Sequence, residues 1–168
     1  PKEKVKSENL IEVIHLDALT SSIMYVPIIN QHAYAGYMNG YGDPEYIETL
    51  PRIPWILDKE YKGEYLCFQA KGDSMECDSE ESIPDGSILL CRNIKKEHWM
   101  NKLHINSWDF VIVHREKGIV VKRIINHDVE NGILTLHSLN SYYQDYQVHL
   151  NDVQKIFNIV EVQTKRKR

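Results

Sequence analysis

Beyond Pro54 the apolar residues fall in short runs separated by turn-forming residues, the pattern of strands rather than of long amphipathic helices. Residues 65–70 form one such run. Residues 87–92 form a second, introduced by the turn Pro84-Asp85-Gly86. Residues 109–114 and 118–125 flank Arg115-Glu116-Lys117, which predicts a hairpin with Gly118 absorbing an awkward dihedral. Residues 133–138, 146–150 and 155–163 complete the series. Upstream, Tyr25-Val26-Pro27-Ile28-Ile29 reads as a strand, and Pro27, lacking an N–H, suits an edge position. Residues 33–44 mix small and aromatic side chains with Gly36, Gly40, Gly42 and Pro44, which predicts a loop with short extended pieces. Residues 43–51 predict one capped helical turn closed by Pro51. Residues 1–25 keep no single helical period across Leu10, Ile11, Val13, Ile14, Leu16 and Leu19, and read as a linker with at most a turn of helix. The expected fold is mainly β, with bent, partly barrel-like antiparallel sheets over residues 26–163.

Composition narrows the function. Hydrophobic residues make up 42% and charged ones 26%, the balance of a soluble globular protein. The formal net charge of −4 argues against a chain whose whole surface grips phosphate, so an element that reads DNA is not expected here. No run approaches the roughly 20 apolar residues that span a bilayer. The start, Pro1-Lys2-Glu3-Lys4, lacks the apolar block of a signal peptide, so a cytoplasmic protein with no membrane association is expected. Opening on Pro1 without Met points to a piece of a longer protein. Cys67, Cys77 and Cys91 are an odd number without a close pair, and the eight histidines form no H-E-x-x-H pattern. Reduced thiols, no metal and no cofactor are expected. Residues 164–168 read as a solvated basic tail.

Two stretches carry chemistry. Gly72-Asp73-Ser74-Met75 places a serine in a glycine-containing turn just after a strand, where its hydroxyl is exposed and backbone N–H groups lie near enough to stabilise an oxyanion. Val120-Val121-Lys122-Arg123-Ile124-Ile125 puts Lys122 on one strand face with Val120 and Ile124. A lysine held among apolar neighbours loses its proton readily, whereas Arg123 stays charged. A neutral amine is a competent base for a serine hydroxyl.

The order Gly-Asp-Ser-Met, Ile-Pro-Asp-Gly-Ser-Ile-Leu-Leu, Asp-Phe-Val-Ile-Val and Val-Val-Lys-Arg-Ile resembles the LexA, UmuD and phage-repressor family of self-cleaving peptidases. The later segment Leu136-His137-Ser138-Leu139-Asn140-Ser141-Tyr142-Tyr143 is similar to the one that follows the lysine strand in that family. The resemblance implies Ser74 as nucleophile, Lys122 as general base, and the backbone amides of Asp73 and Ser74 as oxyanion hole. It implies self-cleavage between Ala35 and Gly36, a small residue followed by glycine, where the tether raises the effective concentration of substrate. It also implies a homodimer, operator DNA bound through an absent N-terminal helix-turn-helix, and a RecA filament as trigger. The apolar run 156–162 is a candidate dimer edge. Tyr34, Tyr37 and Tyr41 depart from the family pattern and predict that the cleavage segment packs firmly. Two alternatives remain: a non-cleaving dimerisation module of a transcriptional regulator, and a UmuD-like polymerase accessory protein.

Overall fold

A computed structural model describes residues 4–6, 12–15, 22–40, 43–57 and 61–166. Its strands are β1 (Lys4–Lys6), β2 (Glu12–His15), β3 (Ser22–Ile29), β4 (Arg52–Leu57), β5 (Tyr65–Gln69), β6 (Ile88–Ile94), β7 (Phe110–His114), β8 (Gly118–Asp128), β9 (Ile133–His137), β10 (Tyr146–His149) and β11 (Val153–Gln163). Three short helices are α1 (Tyr34–Gly40), α2 (Pro44–Thr49) and α3 (Lys96–Met100). The strands hydrogen-bond in the order β1-β2-β3-β5-β6-β11-β7-β8-β9-β10, with β4 on β3.

The mainly β expectation holds, with two changes. Among the described residues the path of paired strands does not return on itself, so the sheet is not closed into a barrel. It is also mixed, because β3 runs parallel to β5 through Ile28–Cys67 and Ile29–Phe68. Pro27 sits where β3 has a partner on one side alone: pairing to β2 ends at Tyr25, pairing to β5 starts at Ile28, and Arg52 of β4 faces the proline. The missing N–H therefore costs no ladder bond.

Three predicted features are corrected. Within residues 1–25, expected to be a linker, β1, β2 and the start of β3 form an antiparallel meander; residues 7–11 and 16–21 lie outside the described ones. Residues 34–40, expected to be loop, are helical. The run 156–162 is no free edge: β11 pairs with β6 along Ile156–Gln163 and with β7 along Val153–Asn158. The capped turn near Asp43 is present as α2, where the Asp43 carboxylate accepts from the Glu45 amide. The β7–β8 hairpin also stands, with Gly118 at φ +74°.

Apolar side chains gather in three clusters along the sheet. One is built on Tyr37, Phe68, Leu89, Val111 and Phe157, a second on Phe110, Ile112, Ile124, Leu136 and Ile156, and a third on Met24, Trp55, Cys67 and Leu90. The first lies beneath the loop between β5 and β6, which carries Ser74, since Met75 and Ile83 are both buried in it.

Candidate active site

The turn after β5 is held from below and from the side. Gly72 takes φ +83°, a left-handed conformation that a side chain would resist, and this turns the chain sharply into Asp73-Ser74. Across the loop, the Asp85 carboxylate accepts from the Gly72 amide at 2.7 Å, and the Gly86 amide donates to the Ala70 carbonyl at 2.9 Å. The Ile83 amide donates to the Met75 carbonyl at 2.8 Å. Both sequence motifs, Gly-Asp-Ser-Met and Ile-Pro-Asp-Gly, are thus two sides of one clasp.

Lys122 projects from the middle of β8, opposite Phe110 of β7. It is buried, as is Ile124, whereas Arg123 is partly exposed and Ile125 exposed, the alternation expected of the strand. Its Nζ lies 2.6 Å from Ser74 Oγ. Burial lowers the lysine pKa below its ordinary 10.5, because desolvation penalises the ammonium. A hydroxyl and an amine within hydrogen-bond distance, the amine predisposed to be neutral, have the geometry that a nucleophile and its base require. Among the described residues, the amides of Asp73 and Ser74 donate to no other group of the protein, which leaves them available to an oxyanion.

Two supports escaped the sequence reading. Asn140 bonds the nucleophile turn twice, its amide donating to the Ser74 carbonyl at 3.1 Å and its Nδ2 to the Asp73 carbonyl at 3.0 Å. Tyr143 Oη adds a bond to the Asp73 carboxylate. Arg123 clamps Asp109 through Nε at 2.9 Å and reaches Glu81 in the same loop at 3.4 Å. The polar–aromatic stretch Asn140-Ser141-Tyr142-Tyr143 was the one signal of the first support.

The match of a family model described as Peptidase S24-like covers residues 27–160. The chain belongs to the Peptidase S24-like family. This is the family of LexA, UmuD and phage-repressor C-terminal domains, and the matched span contains the clasp and the lysine strand just described. No curated protein matches the chain at the level that marks a relative.

The structure brings Ser74 and Lys122 together but does not join Ala35 and Gly36 to them. These two residues lie in α1, which packs alongside β8, and among the described residues no hydrogen bond joins either to Ser74 or Lys122. Tyr37 is fully buried with its ring edge-on to Phe68 at 5.7 Å, and Tyr34 Oη donates to the Gln69 carbonyl. Just before the helix, Gln31 Nε2 donates to the Ala70 carbonyl at 2.8 Å and to Asp85 at 3.2 Å. The segment is therefore tied to the doorstep of the nucleophile turn. Gly36 has no positive φ. Its role is space: an added Cβ would lie 2.6 Å from Tyr46 Oη. Tyr34 and Tyr37 pack as the aromatic pattern predicted; Tyr41 lies outside the described residues.

All three cysteines are free thiols, Cys67 and Cys91 buried and Cys77 partly so. Among the described residues, no helix is long and apolar enough to cross a membrane.

Proposed function

We propose that this is the regulatory domain of a LexA- or phage-repressor-like transcriptional regulator that cleaves itself between Ala35 and Gly36. The observation that carries the reading is the 2.6 Å contact between Ser74 Oγ and the buried Lys122 Nζ. Lys122 takes the Ser74 proton as Oγ attacks the Ala35 carbonyl carbon. The oxyanion so formed is met by the Asp73 and Ser74 amides. The Ala35–Gly36 C–N bond then breaks, the Lys122 proton passes to the departing Gly36 amine, and water hydrolyses the ester left on Ser74.

A helical peptide bond has its carbonyl and N–H turned along the helix axis and cannot lie extended in a cleft. Cleavage in this scheme requires α1 to unwind and residues 34–37 to enter beside Ser74. A seven-residue helix containing two glycines has little intrinsic stability. Its docking through Tyr34 and Tyr37 is what holds the uncleaved state, and a partner such as a RecA filament would act by favouring the unwound one. A helix-turn-helix preceding residue 1 and a homodimeric assembly complete the proposal, two weak half-site contacts on one dimer reinforcing each other.

Prolonged incubation at alkaline pH followed by mass determination tests it. Wild-type chain is expected to yield fragments ending at Ala35 and beginning at Gly36, while Ser74→Ala and Lys122→Ala remain whole. The burial of Tyr37 favours the second reading, a domain of the same fold that binds without cutting. A wild-type chain as durable as both variants would establish that reading instead.

A further inference from the structure

At the far end of the β5–β6 hairpin from Ser74, a cleft of about 800 Å³ opens between the start of β5, the end of β6 and the segment that runs from α3 to Trp108. The five residues of β5 separate it from the nucleophile turn, roughly 16 Å of strand. Four cations line it: Lys62, Arg92, Lys95 and Lys102. Among the described residues no ion pair engages any of them. The carboxylate in the lining, Glu64, already accepts from Asn93 Nδ2 at 2.9 Å. In a chain of net charge −4 this is a local concentration of positive potential inside a concavity, which focuses the field on an anion.

A further observation gives the anion a shape. Trp108, also in the lining, is 37% exposed, and it follows Ser107, whose φ of +66° is a conformation serine seldom adopts. A large flat apolar ring is held in solvent beside the cations. Inorganic phosphate brings no ring. Duplex DNA hides its base faces. A nucleotide brings both elements: negative charge and a flat face for stacking.

We propose that this cleft binds a nucleotide, its phosphate met by Lys62, Arg92, Lys95 and Lys102 and its base stacked on Trp108. The nucleotide is either free or one unit of a single strand, and base–aromatic stacking with flanking cations is the chemistry by which single strands are held. The inference does not rest on the peptidase reading, since none of these residues serves the dyad.

The test uses the full chain carrying Ser74→Ala, so that it stays intact. Trp55 and Trp99 are buried, so quenching of tryptophan fluorescence by a ligand stacked in the cleft reports Trp108. ATP, a short oligothymidylate, the same sequence as a duplex, inorganic phosphate and polyglutamate are each titrated, with affinity confirmed by calorimetry. Saturable quenching by ATP or oligothymidylate is expected, weakened at least tenfold by the pair Arg92→Ala and Lys102→Ala and by added salt; in Trp108→Leu, which lacks the reporter, calorimetry is expected to show at least tenfold weaker binding with the fold intact by circular dichroism. A strand that binds tighter than ATP assigns the single strand as the source; equal binding assigns the free nucleotide. The proposal is overturned if neither ligand saturates, if the variants bind as well as the parent, or if duplex, phosphate or polyglutamate binds equally tightly.

Discussion

Removing water from the Lys122 amine penalises its charged form, and the Ser74 hydroxyl beside it carries no negative charge to compensate. The proton therefore leaves below pH 10.5. Self-cleavage is expected to rise about tenfold per pH unit and level off before pH 10.5, as the neutral amine becomes the main form; a rate still climbing above that value removes Lys122 as the base. The stability linkage has the same sign. Between its folded pKa and 10.5 the unfolded chain binds more protons at this lysine, so its contribution to stability increases with pH across that window. At neutral pH the buried amine is a cost, and Lys122→Met should gain about 1 kcal/mol in chemical denaturation while abolishing cleavage. Asn140 acts differently, through two main-chain carbonyls of the nucleophile turn. Asn140→Ala keeps the backbone bond and loses both the Nδ2 bond to the Asp73 carbonyl and the Oδ1 bond accepted from the Tyr142 amide, so the rate should fall about tenfold or more, with the pH midpoint unmoved. A shifted midpoint would assign Asn140 to the base itself. The pairing of Ser74 with Lys122 was legible in the sequence because a hydroxyl in a turn and a lysine among apolar neighbours are marked by side-chain type. Asn140 was legible only as part of a similar segment, since its targets are carbonyls that every residue possesses.

Helix α1 is the element on which sequence and structure part most sharply. Gly36 and Gly40 argue against helix by propensity, and the reading as loop followed from them. What overrides propensity is packing: Tyr37 fills the core beside Phe68, and Tyr46 closes over the space that Gly36 leaves. Strands β5 to β10 were legible because each brings its own alternation and its own bounding turn. The place of β11 was not, because strand order is decided by partners far away in the chain. Helix α3 rests on Trp99, buried in the second cluster, and lay in a stretch with no marked period. If α1 docking restrains cleavage, loosening it gently should release the reaction. Tyr34→Phe removes the bond to the Gln69 carbonyl and little else. At about 1 kcal/mol for that bond, cleavage should accelerate roughly fivefold with stability slightly reduced. An unchanged or slower rate would mean that α1 is not the barrier.

At the scale of the whole molecule, the question is whether three clusters make one cooperative unit. β11 gives the clearest answer, because its two faces serve two of them: Phe157 and Ile159 enter the first, Val153 and Ile156 the second. Bulges between Val153 and Lys155 and between Ile159 and Glu161 reset the alternation so that both faces stay apolar where they are covered. The same strand joins β6, which leads out of the nucleophile loop, to β7, which pairs with the lysine strand. A packing loss on either face of β11 is therefore felt by the hydrogen-bonded ladder that spaces Ser74 from Lys122. Phe157→Ala should cost about 3–5 kcal/mol and Ile156→Ala about 2–5 kcal/mol, and both should move a single unfolding transition. Far-UV circular dichroism reports the sheet, while fluorescence in a Trp55→Phe, Trp108→Phe background, where Trp99 is the remaining tryptophan, reports the second cluster, in which that side chain is buried. Coincident midpoints by the two probes, shifted together in both variants, are the expected result. Two separated transitions, with Ile156→Ala moving the fluorescence midpoint alone, would divide the molecule into independent halves and leave the dyad straddling the boundary between them.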